Sequence, residues 1–260
     1  MVYISALLVS NLVIQNRMSR ALSIVPGGIM VLFSMWCLFD QSLNAILLAN
    51  IFFILSVSSL FALYKKYKPI ATTFNAGFFM GLAALIYQPY LLFILALFLG
   101  QISLRSLKVQ ELLQVLFAFF TPFFLFGVSL YYNQSFDIFW SFVQPNFTMP
   151  DIDFSQSIVI VKLGVVALVI LYLLLLNAHL LKKKKFDAIK KIELCYWFMF
   201  LGFASVFFNI VQDSSHLLVL SLPISVLAGL YLEEKDNSIT KEFVFILLTA
   251  LYFAMLFRLF

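Results

Sequence analysis

Charged residues are scarce in this sequence. Asp, Glu, Lys and Arg together make up 11% of the 260 residues, whereas hydrophobic residues make up 63%, and the mean hydropathy is +1.04. A soluble globular domain is about half apolar and about a quarter charged. A water-soluble fold has too little interior to bury this excess of apolar side chains, so the sequence predicts a protein whose solvent is lipid.

The sequence also lacks the patterns of other fold and site classes. Strand-like alternation of polar and apolar residues is absent, and apolar blocks of helical length recur instead, which predicts an all-α protein. A glycine-rich phosphate loop and the HExxH, GxSxG and CxxC motifs are absent, so we expect no soluble-type catalytic site, no metal site and no cofactor. Cys37 and Cys195 are isolated in the chain, and we interpret both as small buried hydrophobic residues.

Eight apolar segments have the length and composition of transmembrane helices. They lie at about 2–15, 21–39, 44–64, 109–131, 158–180, 192–211, 217–231 and 242–258. They predict that residues 1–260 form one polytopic membrane domain. The first segment lacks a basic start and a small-residue cleavage site, so we expect it to be retained, with the N-terminus outside. Because this segment is short for a span, the sequence leaves open whether an upstream segment is missing.

Basic loops alternate with acidic or neutral loops along the chain. All but Lys162 and Arg258 of the 17 Lys and Arg residues lie in five short loops: Arg17 and Arg20; Lys65, Lys66 and Lys68; Arg105 and Lys108; Lys182 to Lys185 with Lys190 and Lys191; and Lys235 and Lys241. Basic loops stay on the cytoplasmic side of a membrane. The net charge of +5 therefore indicates topology rather than nucleic-acid binding. It predicts a cytoplasmic loop at 181–191 and an outer loop at 132–157.

The alternation requires residues 74–104 to leave the cytoplasmic side and return to it. Two ordinary passes would need about 40 residues, and this segment is shorter. Gln88-Pro89 interrupts it, and proline removes a backbone donor and disfavours helix in the preceding residue. We therefore predict a short helical hairpin with its apex at Gln88-Pro89; a single proline-kinked span is the alternative. Gly77 and Gly81 form a small-xxx-small pattern that favours close helix packing.

Two polar segments allow two interpretations each. The outer loop 132–157 is rich in aromatic residues and Asp, and we interpret it as an interfacial aromatic belt in preference to a substrate lid. The run Lys182–Lys185 could bind anionic headgroups or a lipid pyrophosphate. A topology anchor explains the same run without a ligand, and we favour it.

Four polar residues are candidate site residues. Asp40 follows the second apolar segment and would be the catalytic base only if the protein transfers glycosyl groups; otherwise it ends a helix in water. Asp213 and His216 form a polar cluster between two apolar segments, where His216 could position a phosphate or carboxylate group or simply lie in a solvated turn. Gln88, at the apex of the hairpin, is the third candidate for substrate binding.

The segments FNAGFFMGLAALIYQPYLLFILALF (74–98) and HLLVLSLPISVLAGLYL (216–232) resemble parts of the GT-C class of integral-membrane glycosyltransferases. The resemblance implies a polyprenyl-phosphate sugar donor at the outer leaflet and an acidic base in an early outer loop, the position of Asp40. More of the chain is similar to a family of uncharacterised bacterial multi-pass inner-membrane proteins, through the basic loop and the hairpin. Unlike the transferases, the chain lacks a long first outer loop with a carboxylate pair, and Leu217 replaces their usual aromatic residue.

Two classes of function remain open, and with them whether the protein is an enzyme. We favour a non-catalytic subunit or scaffold in cell-envelope biogenesis, because no acid–base constellation is evident. The alternative is a GT-C-like glycosyltransferase in the bacterial inner membrane. The expected partners are the lipid bilayer and either a lipid-linked sugar or other envelope membrane proteins, and not nucleic acid. Transport is less favoured, since inverted repeats and intramembrane charges are not evident.

Overall fold

The computed structural model describes residues 1–19, 24–38, 45–105, 108–134, 136–137, 139, 157–176, 181, 184–206, 214–234 and 246. All regular elements in these ranges are helical, which confirms the all-α class. The α-helices are α1 (Val2–Gln15), α2 (Val25–Cys37), α3 (Ala45–Phe61), α4 (Ile70–Ile86), α5 (Phe93–Leu104), α6 (Val109–Tyr132), α7 (Ser157–Leu175), α8 (Phe186–Val206) and α9 (Ser221–Glu234). Two 3₁₀ segments, Gln88–Leu92 and Ser214–Leu220, lead directly into α5 and α9.

Two helices in the described ranges are long and apolar enough to cross a membrane. They are α6 and the continuous helix Ser215–Glu233, which joins the second 3₁₀ segment to α9. Shorter apolar helices of 10–17 residues accompany them, α1 to α4 among them. These lengths support association with a membrane. The finer expectation of about eight spans stays a prediction, and its last segment, 242–258, lies almost wholly outside the described residues.

The packing of α4 explains why its sequence is rich in small residues. This helix lies between α3 and α6 and makes its most extensive contacts with those two helices. A Cβ atom added at Gly77 or Gly81 would collide with the backbone carbonyl oxygen of Val115 or Phe119, respectively. Only glycine therefore allows α4 and α6 to approach this closely, as small-xxx-small patterns do in membrane helices.

The helix break lies at Tyr87. Helix α4 ends at Ile86, and Tyr87 is extended, with φ −142° and ψ 104°. Proline suits the first turn of a helix, and Pro89 lies in the first turn of the 3₁₀ segment. After α5, the guanidinium group of Arg105 donates a hydrogen bond to the carbonyl oxygen of Lys66. The chain therefore enters α4 and leaves α5 at the same end of the bundle.

Basic side chains from several loops meet at that end, which we call the basic end. Two lysines donate to backbone carbonyl oxygens: Lys184 Nζ to that of Met18 at 2.9 Å and Lys190 Nζ to that of Ser103 at 2.6 Å. Lys191 Nζ donates to Oδ1 of Asn16 at 2.9 Å. Arg105 forms an ion pair with Glu111 at 3.3 Å. The C-terminal ends of α1, α3 and α5 and the N-terminal ends of α4, α6 and α8 therefore lie close together.

An aromatic core holds the hairpin against the rest of the bundle. The ring of Phe53, in α3, lies 5.2 Å from that of Tyr90, 5.0 Å from that of Phe93 and 5.5 Å from that of Phe198, between ring centres. All four side chains are fully buried. Buried aromatic contacts of this kind fix the 3₁₀ segment, α3, α5 and α8 relative to one another.

Candidate functional site

His216 lies against the apex of the hairpin. Its Nδ1 is 2.7 Å from the hydroxyl oxygen of Tyr87, and its Nε2 is 3.1 Å from Oγ of Ser205, near the end of α8. The imidazole is 5% exposed. Three separate parts of the chain thus meet at one buried histidine: the extended residue that interrupts the hairpin, the last turns of α8 and the 3₁₀ segment before α9. We call Tyr87, Ser205 and His216 the His216 triad.

The hydrogen bonds of the triad determine the tautomer of His216. Ser205 has a single hydroxyl proton, and it donates that proton to the carbonyl oxygen of Gly202 at 2.7 Å. Its oxygen can therefore only accept from the imidazole, which places the proton of the neutral ring on Nε2. Nδ1 is then the acceptor, and the hydroxyl group of Tyr87 donates to it. In this arrangement the lone pair of the imidazole faces Tyr87.

A second buried polar group lies beside the triad. Nδ2 of Asn50, in α3, donates to Oγ of Ser221 at 2.8 Å, and the hydroxyl group of Tyr90 donates to Oδ1 of Asn50 at 3.5 Å. The rings of Tyr87 and Tyr90 meet edge to face with 6.1 Å between their centres. Tyr87 therefore contacts His216 and Tyr90 contacts Asn50, and together the two tyrosines connect the apex to α3, α8 and α9.

The triad lies far from the basic end. Helix α4 has 17 residues, so it rises about 25 Å from its start near Lys66 to Tyr87. The side chains bonded in the two polar groups are all neutral in the arrangement described above. Along the described bundle, Arg105, Lys184, Lys190 and Lys191 therefore lie at one end, and the amide, hydroxyl and imidazole groups of the two polar groups lie toward the other.

The structure brings two of the predicted site residues to the same place. His216 belongs to the triad, and Gln88, which is half-buried, begins the 3₁₀ segment directly after Tyr87. Asp40 and Asp213 lie outside the described residues. So does most of the predicted outer loop at 132–157 and, within the basic loop 181–191, the pair at 182–183.

Sequence reasoning missed most of the residues that bond at the apex: Asn50, Tyr87, Tyr90, Ser205 and Ser221. One available signal was their polarity, because an amide or hydroxyl group inside an apolar segment needs a partner when water is absent. Asn50, in AILLANIFFILS, is the clearest case. The sequence alone does not pair it with Ser221, since 171 residues separate the two along the chain.

An apolar groove lies beside the half of α6 that is remote from the basic end. It has a volume of about 300 Å³. Its lining is almost wholly aromatic or aliphatic: Phe123, Phe124, Gly127, Val128, Tyr131, Phe136 and Phe139. The ring of Phe139 packs over Gly127, where an added Cβ would come within 3.2 Å of it. Chemically, the groove suits a hydrocarbon chain and offers little to a polar ligand.

Neither a metal site nor a known relative assigns a function to this chain. In the part of the chain that the structure describes, no group of three or more His, Cys, Asp or Glu side chains is arranged to hold a metal ion. Comparisons with protein-family models, curated proteins and solved structures find no match to this chain.

Proposed function

We propose that this chain is a multi-pass inner-membrane protein that acts as a non-catalytic subunit or scaffold in cell-envelope biogenesis. The hydrogen bonding of the His216 triad carries this proposal. A general base or nucleophile needs a lone pair or a proton that can reach a substrate. In the triad, both nitrogens of His216 lie within hydrogen-bond distance of a protein group and Oγ of Ser205 also lies 2.7 Å from the carbonyl oxygen of Gly202, so these groups hold the hairpin in place.

The distribution of charge supports the membrane orientation. Basic loops remain in the cytoplasm, so the basic end is the cytoplasmic end of the bundle. Helix α1 ends there, at Gln15, which puts Met1 on the outer side. The apex of the hairpin, about 25 Å from the basic end by the rise of α4, then lies close to the outer edge of a hydrocarbon core about 30 Å thick.

The exposed face of α6 supports a membrane subunit. Phe117 and Phe124 are 70% and 69% exposed, and 28% of the most apolar window of this helix is buried. In water such a face would be costly, whereas lipid or an apolar neighbouring subunit covers it without penalty. A helix of this kind provides the surface through which a scaffold would hold other membrane proteins.

A GT-C-like glycosyltransferase is the second candidate, and the apolar groove beside Gly127 favours it. That groove lies in the outer half of α6 in the orientation proposed above, and an aromatic lining suits the hydrocarbon tail of a polyprenyl-phosphate sugar donor. In this alternative Asp40 would be the catalytic base. The triad would then only position the hairpin, since its hydrogen bonds are satisfied internally.

A complementation experiment distinguishes the two candidates. The gene is deleted from its host and restored as the wild type, as Asp40→Asn, or as the matched control Asp187→Asn, which changes a carboxylate at the basic end. Lipid-linked sugars and surface glycans are then profiled by mass spectrometry. For a scaffold we expect no accumulated sugar intermediate in the deletion strain or in the strains that carry either variant.

A lipid-linked intermediate could instead accumulate in the deletion strain and be cleared by the wild type and by Asp187→Asn, but not by Asp40→Asn. That result would overturn the scaffold in favour of the transferase. Membrane levels of each variant are measured by immunoblot in the same strains. This separates a loss of chemistry from a loss of protein.

A further inference from the structure

Two ammonium groups converge on the ring of Tyr64 at the basic end. Nζ of Lys65 lies 5.3 Å from the centre of that ring, and Nζ of Lys191 lies 5.6 Å from it. Tyr64 follows α3, whereas Lys191 belongs to α8, so two distant segments of the chain bring like charges to one ring. The repulsion between them is reduced only by a nearby negative charge or by solvent.

Among the described residues, Lys191 makes no ion pair within 4 Å, and the carboxylate of Asp187 acts on its charge only from farther away. Its side chain is 6% exposed, and its ammonium group donates to the neutral oxygen Oδ1 of Asn16 at 2.9 Å. The ion pair found within 4 Å among the described residues joins Arg105 to Glu111, and Asp187, one helical turn before Lys191, makes no such pair with it. Lysine is seldom buried without a counter-charge, because burial penalises the charged form.

Further basic groups surround this position. Arg17 directly follows Asn16, and Lys184 Nζ donates to the carbonyl oxygen of Met18. Arg17 and Lys65 both have left-handed backbones, with φ of 50° and 56°, a conformation that costs energy in residues other than glycine and that marks functional positions more often than average. Both side chains are exposed, and each directly follows a residue that contacts Lys191, namely Asn16 and Tyr64.

We infer that Lys65 and Lys191, which converge on Tyr64, together with Arg17 and Lys184 at the adjoining segment 16–18, bind the phosphate group of an anionic phospholipid. A phosphodiester accepts hydrogen bonds from several ammonium groups at once and adds negative charge where several cations lie close together. Lysines at the cytoplasmic edge of membrane helices recognise anionic headgroups in this way. The run Lys182–Lys185, read from sequence as a topology anchor, thus contributes Lys184 to a binding site whose buried member, Lys191, comes from the next helix.

The test measures thermal unfolding of the purified full-length protein in detergent as lipid is added. Phosphatidylglycerol is the probe, and phosphatidylcholine with the same acyl chains is the zwitterionic control. We expect phosphatidylglycerol to stabilise the wild type selectively. Lys191→Met should weaken the apparent affinity about tenfold, since it removes a charge-assisted hydrogen bond. The matched variant Lys68→Met, which neutralises an exposed lysine lying over the ring of Tyr67, should leave the affinity unchanged.

Four outcomes would overturn the inference. Equal stabilisation by the two lipids would exclude a headgroup site. If Lys68→Met weakened the affinity for phosphatidylglycerol as much as Lys191→Met does, the effect would depend on net charge alone. Inorganic phosphate that stabilises the wild type as well as phosphatidylglycerol does would assign the cluster to a soluble anion. If Lys191→Met does not fold, Lys65→Met replaces it, because that side chain is exposed and its removal leaves the packing intact; unchanged lipid affinity in Lys65→Met then counts against the site.

Discussion

Tyr87 donates a hydrogen bond from its hydroxyl group to Nδ1 of His216, at 2.7 Å and across 129 residues of the chain. The donor lies at the single extended residue that separates α4 from the 3₁₀ segment after it, and the acceptor lies two residues into the 3₁₀ segment before α9. A break in a helix frees backbone groups, and in the membrane setting proposed for this protein lipid could not satisfy them, so the break must be buried against protein. The bond between Tyr87 and His216 secures that burial.

Removal of the Tyr87 hydroxyl group should destabilise the fold. In Tyr87→Phe, Nδ1 of His216 loses its donor inside the bundle, and we expect a loss of about 1 kcal/mol in the free energy of unfolding. Thermal or denaturant unfolding in detergent measures it. Tyr67→Phe removes the same group from a side chain that is 90% exposed and should be neutral. Equal stability of the two variants would show that the bond to His216 contributes nothing.

Enlargement of Gly81 should separate α4 from α6. A Cβ in Gly81→Ala would overlap the carbonyl oxygen of Phe119, and overpacking of this kind costs about 1–3 kcal/mol. Gly164→Ala is the matched control, because nothing lies within 4 Å of a Cβ at that position and alanine favours helix over glycine. The yield and melting temperature of folded protein report the difference. A Gly81→Ala variant as stable as Gly164→Ala would contradict the close packing of these helices.

The bond between Asn50 and Ser221 should appear as a coupling energy. Comparison of Asn50→Ala, Ser221→Ala and the double variant should give a coupling of about 0.5–1.5 kcal/mol, in the range of hydrogen bonds between membrane helices. The pair Asn50→Ala and Ser205→Ala serves as the control, since these two side chains belong to different polar groups and their effects should add. Strict additivity for Asn50 and Ser221 would show that their 2.8 Å contact is not energetically coupled.

The hairpin predicts which exposed positions share a side of the membrane. Tyr67, before α4, and Val109, the first residue of α6, should react from the same side when each is replaced by cysteine, whereas a cysteine at Tyr132, the last residue of α6, should react from the other. A membrane-impermeant maleimide applied to intact and to opened cells measures this. The native Cys37 and Cys195 are buried and should give little background. Labelling of Tyr67→Cys and Val109→Cys from opposite sides would replace the hairpin with a single span.

Several features could be predicted from the sequence because they depend on local chemistry. The scarcity of charge and the length of the apolar segments led to an all-α protein associated with a membrane, because these properties depend on composition and helical period alone. The helix break is equally local: proline constrains the residues next to it, and the structure ends α4 at Ile86, two residues before Gln88. Gly77 and Gly81 were readable as a packing face for the same reason, since their spacing needs no knowledge of the partner helix.

Tertiary structure alone decided what the polar residues do. His216 stood out in the sequence as a residue that could face a ligand, but its partners, Tyr87 and Ser205, come from two other elements, and the direction of Ser205's proton decides the tautomer. Likewise, the lysines indicated topology, while the convergence of Lys65 and Lys191 on one ring depends on how α3 and α8 pack. Composition and periodicity act over a few turns of helix, whereas hydrogen bonds and charge contacts between distant segments exist only after the helices have packed.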